Sequence, residues 1–135
     1  MNYAKKETSI AYGHFLDSLE WDYFMTVTFK FDVKKRRNEH LMNQLDRHMT
    51  NLYGAYTVFW VIEFTSNNYQ THCHLLLKGK NSNNIVFDFY NKRKLIIPKF
   101  VSIEPYQINK GGAYYVTKYL HHENVAYGII QTKVD

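Results

Sequence analysis

His72 and His74 stand one residue apart in the stretch Thr71-His72-Cys73-His74-Leu75-Leu76-Leu77-Lys78-Gly79. The stretch reads as a strand, and a strand's period of two places both imidazoles on one face, with Cys73, Leu75 and Leu77 on the other. Imidazole is the commonest metal ligand among side chains, and neighbouring positions on one face are close enough to share a divalent ion. Just upstream, Tyr56-Thr57-Val58-Phe59-Trp60-Val61-Ile62-Glu63-Phe64 is rich in β-branched and aromatic residues and carries a single charge, Glu63. The polar segment Ser66 to Gln70 between the two predicts an antiparallel hairpin. If Asn67 to Gln70 form the loop, Glu63 falls opposite His74. If the loop closes one residue earlier on both counts, Glu63 falls opposite His72. In either register the carboxylate shares the imidazole face, whereas a one-residue slip sends it to the opposite face. Two nitrogens and one carboxylate oxygen suit manganese, magnesium or zinc, with coordination positions left for a substrate.

The elements that must position these groups have to come from a chain of 135 residues, the length of one domain spanning 1–135, with a real core but no space for a helicase module. Seventeen Lys and Arg against twelve Asp and Glu give a net charge of +5, and the pI near 9.2 points to a polyanionic partner, with nucleic acid first. No run approaches the roughly 20 apolar residues of a membrane span, and the first residues lack a signal peptide's apolar core. The expectation is a protein of the host cell's cytoplasm with no membrane partner. Cys73 is the only cysteine, which rules out an internal disulfide, and its place opposite the histidines predicts packing rather than ligation.

In chain order, residues from Glu7 to Leu19 predict a helix or an irregular lead-in. Trp21 to Lys30 alternates as a strand, with Tyr23, Met25, Val27 and Phe29 on one face and Thr26 and Thr28 on the other. The run Lys34-Lys35-Arg36-Arg37 precedes a helix predicted over Glu39 to Leu52, with Leu41, Leu45, Met49 and Leu52 on its apolar stripe. Cations beside a strand that leads to the site are placed to hold phosphates. A short helix is predicted from Ile85, with Asn83 or Asn84 as cap. A second basic cluster, Lys92, Arg93 and Lys94, follows it, and Lys78 ends the histidine strand; all are candidate DNA contacts. Leu95 to Pro98 and Phe100 to Glu104 read as extended. Gly111-Gly112 opens a predicted helix on which Tyr115, Lys118 and Tyr119 share a side. His121 and His122 sit where they complement a helix C-terminus, and Ala126 to Thr132 reads as a last strand.

Three segments, Phe24-Met25-Thr26-Val27-Thr28-Phe29, His72-Cys73-His74 and Tyr115-Val116-Thr117-Lys118, resemble in type and order the motifs of the HUH nicking and joining endonucleases, in particular the initiators of rolling-circle replication. The resemblance spans roughly Tyr23 to Leu120. A cysteine between the histidines departs mildly from the apolar residue found there in the family. The resemblance implies an α+β fold with a mostly antiparallel five-stranded sheet, ferredoxin-like or RRM-like, helices on one face and the metal on the other. It implies that Glu63, His72 and His74 hold Mn²⁺ or Mg²⁺, that Tyr115 is the nucleophile, and that Lys118 steadies the phosphate or positions the metal's water. Tyr119 is a second nucleophile, a packing residue, or a tyrosine lent to a second copy in a homodimer. The implied substrate is single-stranded origin DNA, with a hairpin or a short specific sequence, of a virus, phage or plasmid. Host helicase and polymerase are the implied partners.

Other readings of the same residues are an HUH-type transposase or relaxase, a non-catalytic single-stranded nucleic-acid binder with exposed aromatics, and a zinc-structured domain.

Overall fold

The computed structural model describes residues 11, 13–64, 71–107 and 125–132. Within them lie five strands, β1 (Tyr23–Thr28), β2 (Thr57–Glu63), β3 (His72–Lys78), β4 (Ser102–Pro105) and β5 (Val125–Gln131). Two helices, α1 (Lys35–Asn51) and α2 (Ser82–Lys92), accompany them, with a helical segment at residues 13–17 and a 3-10 turn at Pro98–Phe100. The strands form one sheet in the order β4-β1-β3-β2-β5, and every pairing in it is antiparallel. The architecture is α+β, as the alternation of strand and helix patterns implies.

Alternation decides which way each strand faces. Met25 and Val27 of β1, Cys73, Leu75 and Leu77 of β3, and Val58, Trp60 and Ile62 of β2 bury one face of the sheet against α1 and α2. Leu41, Met42, Leu45 and Met49 supply the stripe from α1, at the three- and four-residue steps that a helix needs to meet a sheet. Val86, Phe89 and Tyr90 supply it from α2. Each such side chain contributes about 1.5 to 3 kcal/mol when fully buried. Cys73 belongs to this core, as expected, and burial pushes its thiol up to about 12.

The opposite face carries the imidazoles, and at its far end it is also apolar. Leu16 of the N-terminal helical segment packs there with Trp21, Phe59, Val61 and Leu76. The Trp21 indole N–H donates to the Leu16 carbonyl at 2.7 Å, and the Tyr106 hydroxyl donates to Asp17 at 2.7 Å. Thus α1 and α2 share one face as expected, while the lead-in crosses to the other, because Phe59 and Leu76 need cover from water.

Three local boundaries differ from the sequence expectation. Helix α1 starts at Lys35, not Glu39. Lys and Arg are good helix formers, so the basic run is taken into the first turn although its charges oppose the helix dipole. Helix α2 starts at Ser82 after Asn81, which sits at φ 60° without capping by its side chain; asparagine tolerates this left-handed backbone better than most residues. Between Leu95 and Phe100 the extended pairing is limited to a bridge from Ile96 to Phe29. Pro98, with no N–H to give a ladder, turns the chain instead.

Candidate functional site

The β2–β3 register sets Glu63 opposite His72 and Val61 opposite His74. Of the two registers open to the sequence, the shorter-loop count is the one that forms, and Glu63, His72 and His74 share a face. The loop residues 65–70 lie outside the described residues. On the other side of β3, β1 sets Thr28 opposite His72 and Thr26 opposite His74.

This second pairing fixes the rings. Oγ1 of Thr26 lies 3.0 Å from Nδ1 of His74, and Oγ1 of Thr28 lies 3.1 Å from Nδ1 of His72. Where Nδ1–H donates to the hydroxyl oxygen, the lone pair of Nε2 is the one presented for ligation. The apolar-Thr-apolar-Thr pattern of β1 is therefore the complement of His-x-His, one threonine per imidazole. Alternation alone separates the threonines onto the polar face but gives them no partner. The available signal is the matching period of the two strands, and it becomes specific only when β1 is known to neighbour β3.

The two histidines are not equivalent. His72 is exposed at the end of the sheet, while His74 is half-buried, with the Phe24 ring edge-on at 6.3 Å between centroids. Burial, and secondarily the charge of His72, push His74 down to about 4. It is neutral at physiological pH, the form that binds a metal.

A short latch anchors the chain next to His72. The Val33 N–H donates to Thr71 Oγ1 at 2.8 Å, and that hydroxyl donates to Asp32 at 3.1 Å. Lys34 pairs with the same carboxylate at 2.7 Å, and the hydrogen bonds from Lys34 and then Thr71 hold Asp32 below its ordinary value. Lys34 and the first turn of α1 are thereby held at the His72 end of the sheet, although α1 itself runs along the opposite face.

As the side chains stand, no three His, Cys, Asp or Glu among the described residues are drawn together closely enough to hold a metal ion. The donor chemistry nonetheless fits one. Glu63 and His72 are directly cross-strand, where Cβ atoms lie about 5 Å apart, and His72 and His74 are two strand residues, about 7 Å, apart along the backbone. Rotation of the Glu63 side chain is the adjustment that a shared ion requires.

The remaining candidates divide by position. Lys34, Lys35, Arg36 and Arg37 are exposed at the start of α1, and Lys92, Arg93 and Lys94 are exposed at the end of α2. Lys78 is on the imidazole face but opposite Thr57 at the far end of β3, about 20 Å along the strand from His72. Tyr115, Lys118 and Tyr119, and with them His121 and His122, lie outside the described residues. The described chain resumes at Val125, which pairs with Glu63. Among the described residues no helix is long and apolar enough to cross a membrane.

Comparison with known proteins returns one family. Its model, described as replication-associated protein ORF2/gene II protein, matches residues 22–124. No curated protein and no solved structure matches the chain. The matched span includes β1 with its two threonines, Glu63, both imidazoles and the Tyr115 segment, and covers most of the chain: the protein belongs to the replication-associated protein ORF2/gene II protein family.

Proposed function

We propose that this protein is a replication initiator of the HUH type that nicks and rejoins single-stranded DNA, with Tyr115 as nucleophile and with Glu63, His72 and His74 as ligands of Mn²⁺ or Mg²⁺. The observation that carries the reading is the pairing of Thr26 and Thr28 with Nδ1 of His74 and His72, on a face that also carries Glu63. Imidazoles oriented in this way and kept neutral are arranged as ligands. Family membership supports a role in replication, and the net charge of +5 suits a polyanionic substrate.

A bound divalent ion supplies charge to the non-bridging oxygens of the scissile phosphate. The phenol oxygen of Tyr115 attacks phosphorus, the bond from phosphorus to the 3′ oxygen breaks, and the phenol proton ends on the released 3′-OH. The products are a 5′-phosphotyrosine and a free 3′ end. An incoming 3′-OH reverses the step, with tyrosine as leaving group, so strands are joined without ATP. Lys118 steadies the phosphate, and Tyr119 is the second nucleophile or a packing residue. Because a phenol has an ordinary pKa of about 10, Tyr115 is a poor nucleophile at neutral pH unless the reaction centre is polarised.

Labelled single-stranded oligonucleotides from candidate origins, incubated with Mn²⁺ and resolved on a denaturing gel, test this directly. The expected result is a covalent protein–DNA adduct that chelator and Tyr115→Phe abolish, with Tyr119→Phe reporting on a second nucleophile. Binding without adduct on every candidate origin would favour a non-catalytic nucleic-acid-binding domain.

A further inference from the structure

On the helix side of the sheet, a groove of about 390 Å³ lies between α1 and the chain that leaves α2, lined by Arg37, His40, Leu41, Gln44, Arg93 and Leu95. Leu41 and Leu95 are buried and form its floor, while the four polar side chains are exposed and form its rim. Positions 37, 40, 41 and 44 recur at the spacing of one helix face, so α1 presents a continuous edge to the groove. Glu39, the nearest acid in sequence, points roughly 200° around the helix from Arg37.

Both guanidinium groups are braced by aromatic rings. The Arg93 guanidinium carbon lies 3.8 Å from the centroid of Phe89, and its Nη1 donates to the Phe89 carbonyl at 2.9 Å. The Arg37 guanidinium carbon lies 5.1 Å from the centroid of Phe31. Among the described residues the ion pair is Lys34 with Asp32, and neither arginine of the groove has a carboxylate partner. Two preoriented forks without counter-charges, over a narrow apolar floor, match the planar bidentate recognition of a phosphate.

We propose that this groove is a second phosphodiester-binding subsite, separate from the imidazole face, which grips DNA flanking the reacting strand. It deepens the nickase reading by assigning a second DNA contact, yet its chemistry does not depend on strand cleavage. Its location sets a geometric rule. The groove and His72 lie at the same end of the sheet, where Phe29 bridges Ile96 and Val33 meets Thr71, but on opposite faces. DNA that occupies both must pass over that end, so an oligonucleotide just long enough for the imidazole face does not reach the groove.

The test measures salt-dependent binding of the full chain, without metal, to a hexanucleotide, a long single strand and a hairpin duplex. Arg37→Gln and Arg93→Gln are each expected to weaken binding to the longer DNAs by roughly tenfold. Together they should lower the slope of log affinity against log salt by about 1.4 if the groove holds single strand and about 1.8 if it holds duplex. The hexanucleotide should be unaffected. Gln44→Glu, which adds an anion to an exposed rim position and removes no packing, should reproduce the loss. Lys80→Gln, which removes one charge at the far end of the sheet, should not. Losses no larger than that of Lys80→Gln, or equal losses for the hexanucleotide, would overturn the subsite. Adduct formation, read separately, tells failure of the nickase reading from failure of this one.

Discussion

Replacing Thr26 by valine removes one hydroxyl and preserves size, branching and strand propensity. Its effect should follow from the 3.0 Å contact to His74 alone. A hydrogen bond of this kind contributes about 1 kcal/mol net, and a half-buried ring nitrogen left without a partner raises the cost to about 2 to 3 kcal/mol. The matching change, Thr28→Val, removes the 3.1 Å contact to His72. His72 is exposed, so water replaces the lost hydroxyl and the cost should stay near 0.5 to 1 kcal/mol. Urea unfolding with chelator present measures both. Nitrogen-15 chemical shifts of the metal-free protein add a readout that simple destabilisation does not move: the Nδ1–H tautomer of His74 should dominate in the parent and give way in Thr26→Val. Loss of a residue that orients a ligand lowers metal affinity about 10- to 100-fold, and Mn²⁺ titration of Thr26→Val should show this. Equal costs for the two substitutions, with Mn²⁺ affinity unchanged and no change of tautomer, would refute the idea that β1 orients the imidazoles.

The metal-free protein should lose stability in acid: His74 falls from 6.5 to about 4 on folding, so below pH 6.5 the unfolded chain takes up its proton first. The His74 contribution is full above pH 6.5 and declines by up to about 3 kcal/mol as pH falls to 4, a slope that denaturation curves of His74→Asn should lack. Mn²⁺ at a hundred times its dissociation constant should stabilise the fold by about 2.7 kcal/mol, seen as a rise in melting temperature that His72→Ala and Glu63→Ala each remove. Gly128→Ala should destabilise by about 1 to 3 kcal/mol in thermal unfolding, because a Cβ there would stand 2.6 Å from the Trp60 ring.

The site divides between what is local and what is not. Residues 72 and 74 share a face, residue 73 points into the core, and Glu63 joins the histidines once the hairpin closes in an allowed register; these follow from the period of two and from turn length, which act over a few residues. The register itself is ambiguous in the sequence because a polar linker of this length permits more than one loop, and pairing of β2 with both β3 and β5 settles Glu63 against His72. The start of α1 is misread for a related reason: basic residues that look like a loop by charge are good helix formers, and packing of Leu41, Leu45 and Met49 favours extending the helix through them.

The sequence by itself determined the chemical inventory: two imidazoles, a carboxylate and a tyrosine segment in a set order, on a basic chain. Only the tertiary structure decided that β1 lies beside β3, which gives each imidazole its threonine, and that Arg37 and Arg93, far apart in the chain, line one groove behind the sheet. Strand order and helix placement reflect the burial of apolar surface summed over the whole domain, and no local spacing of residues encodes that sum.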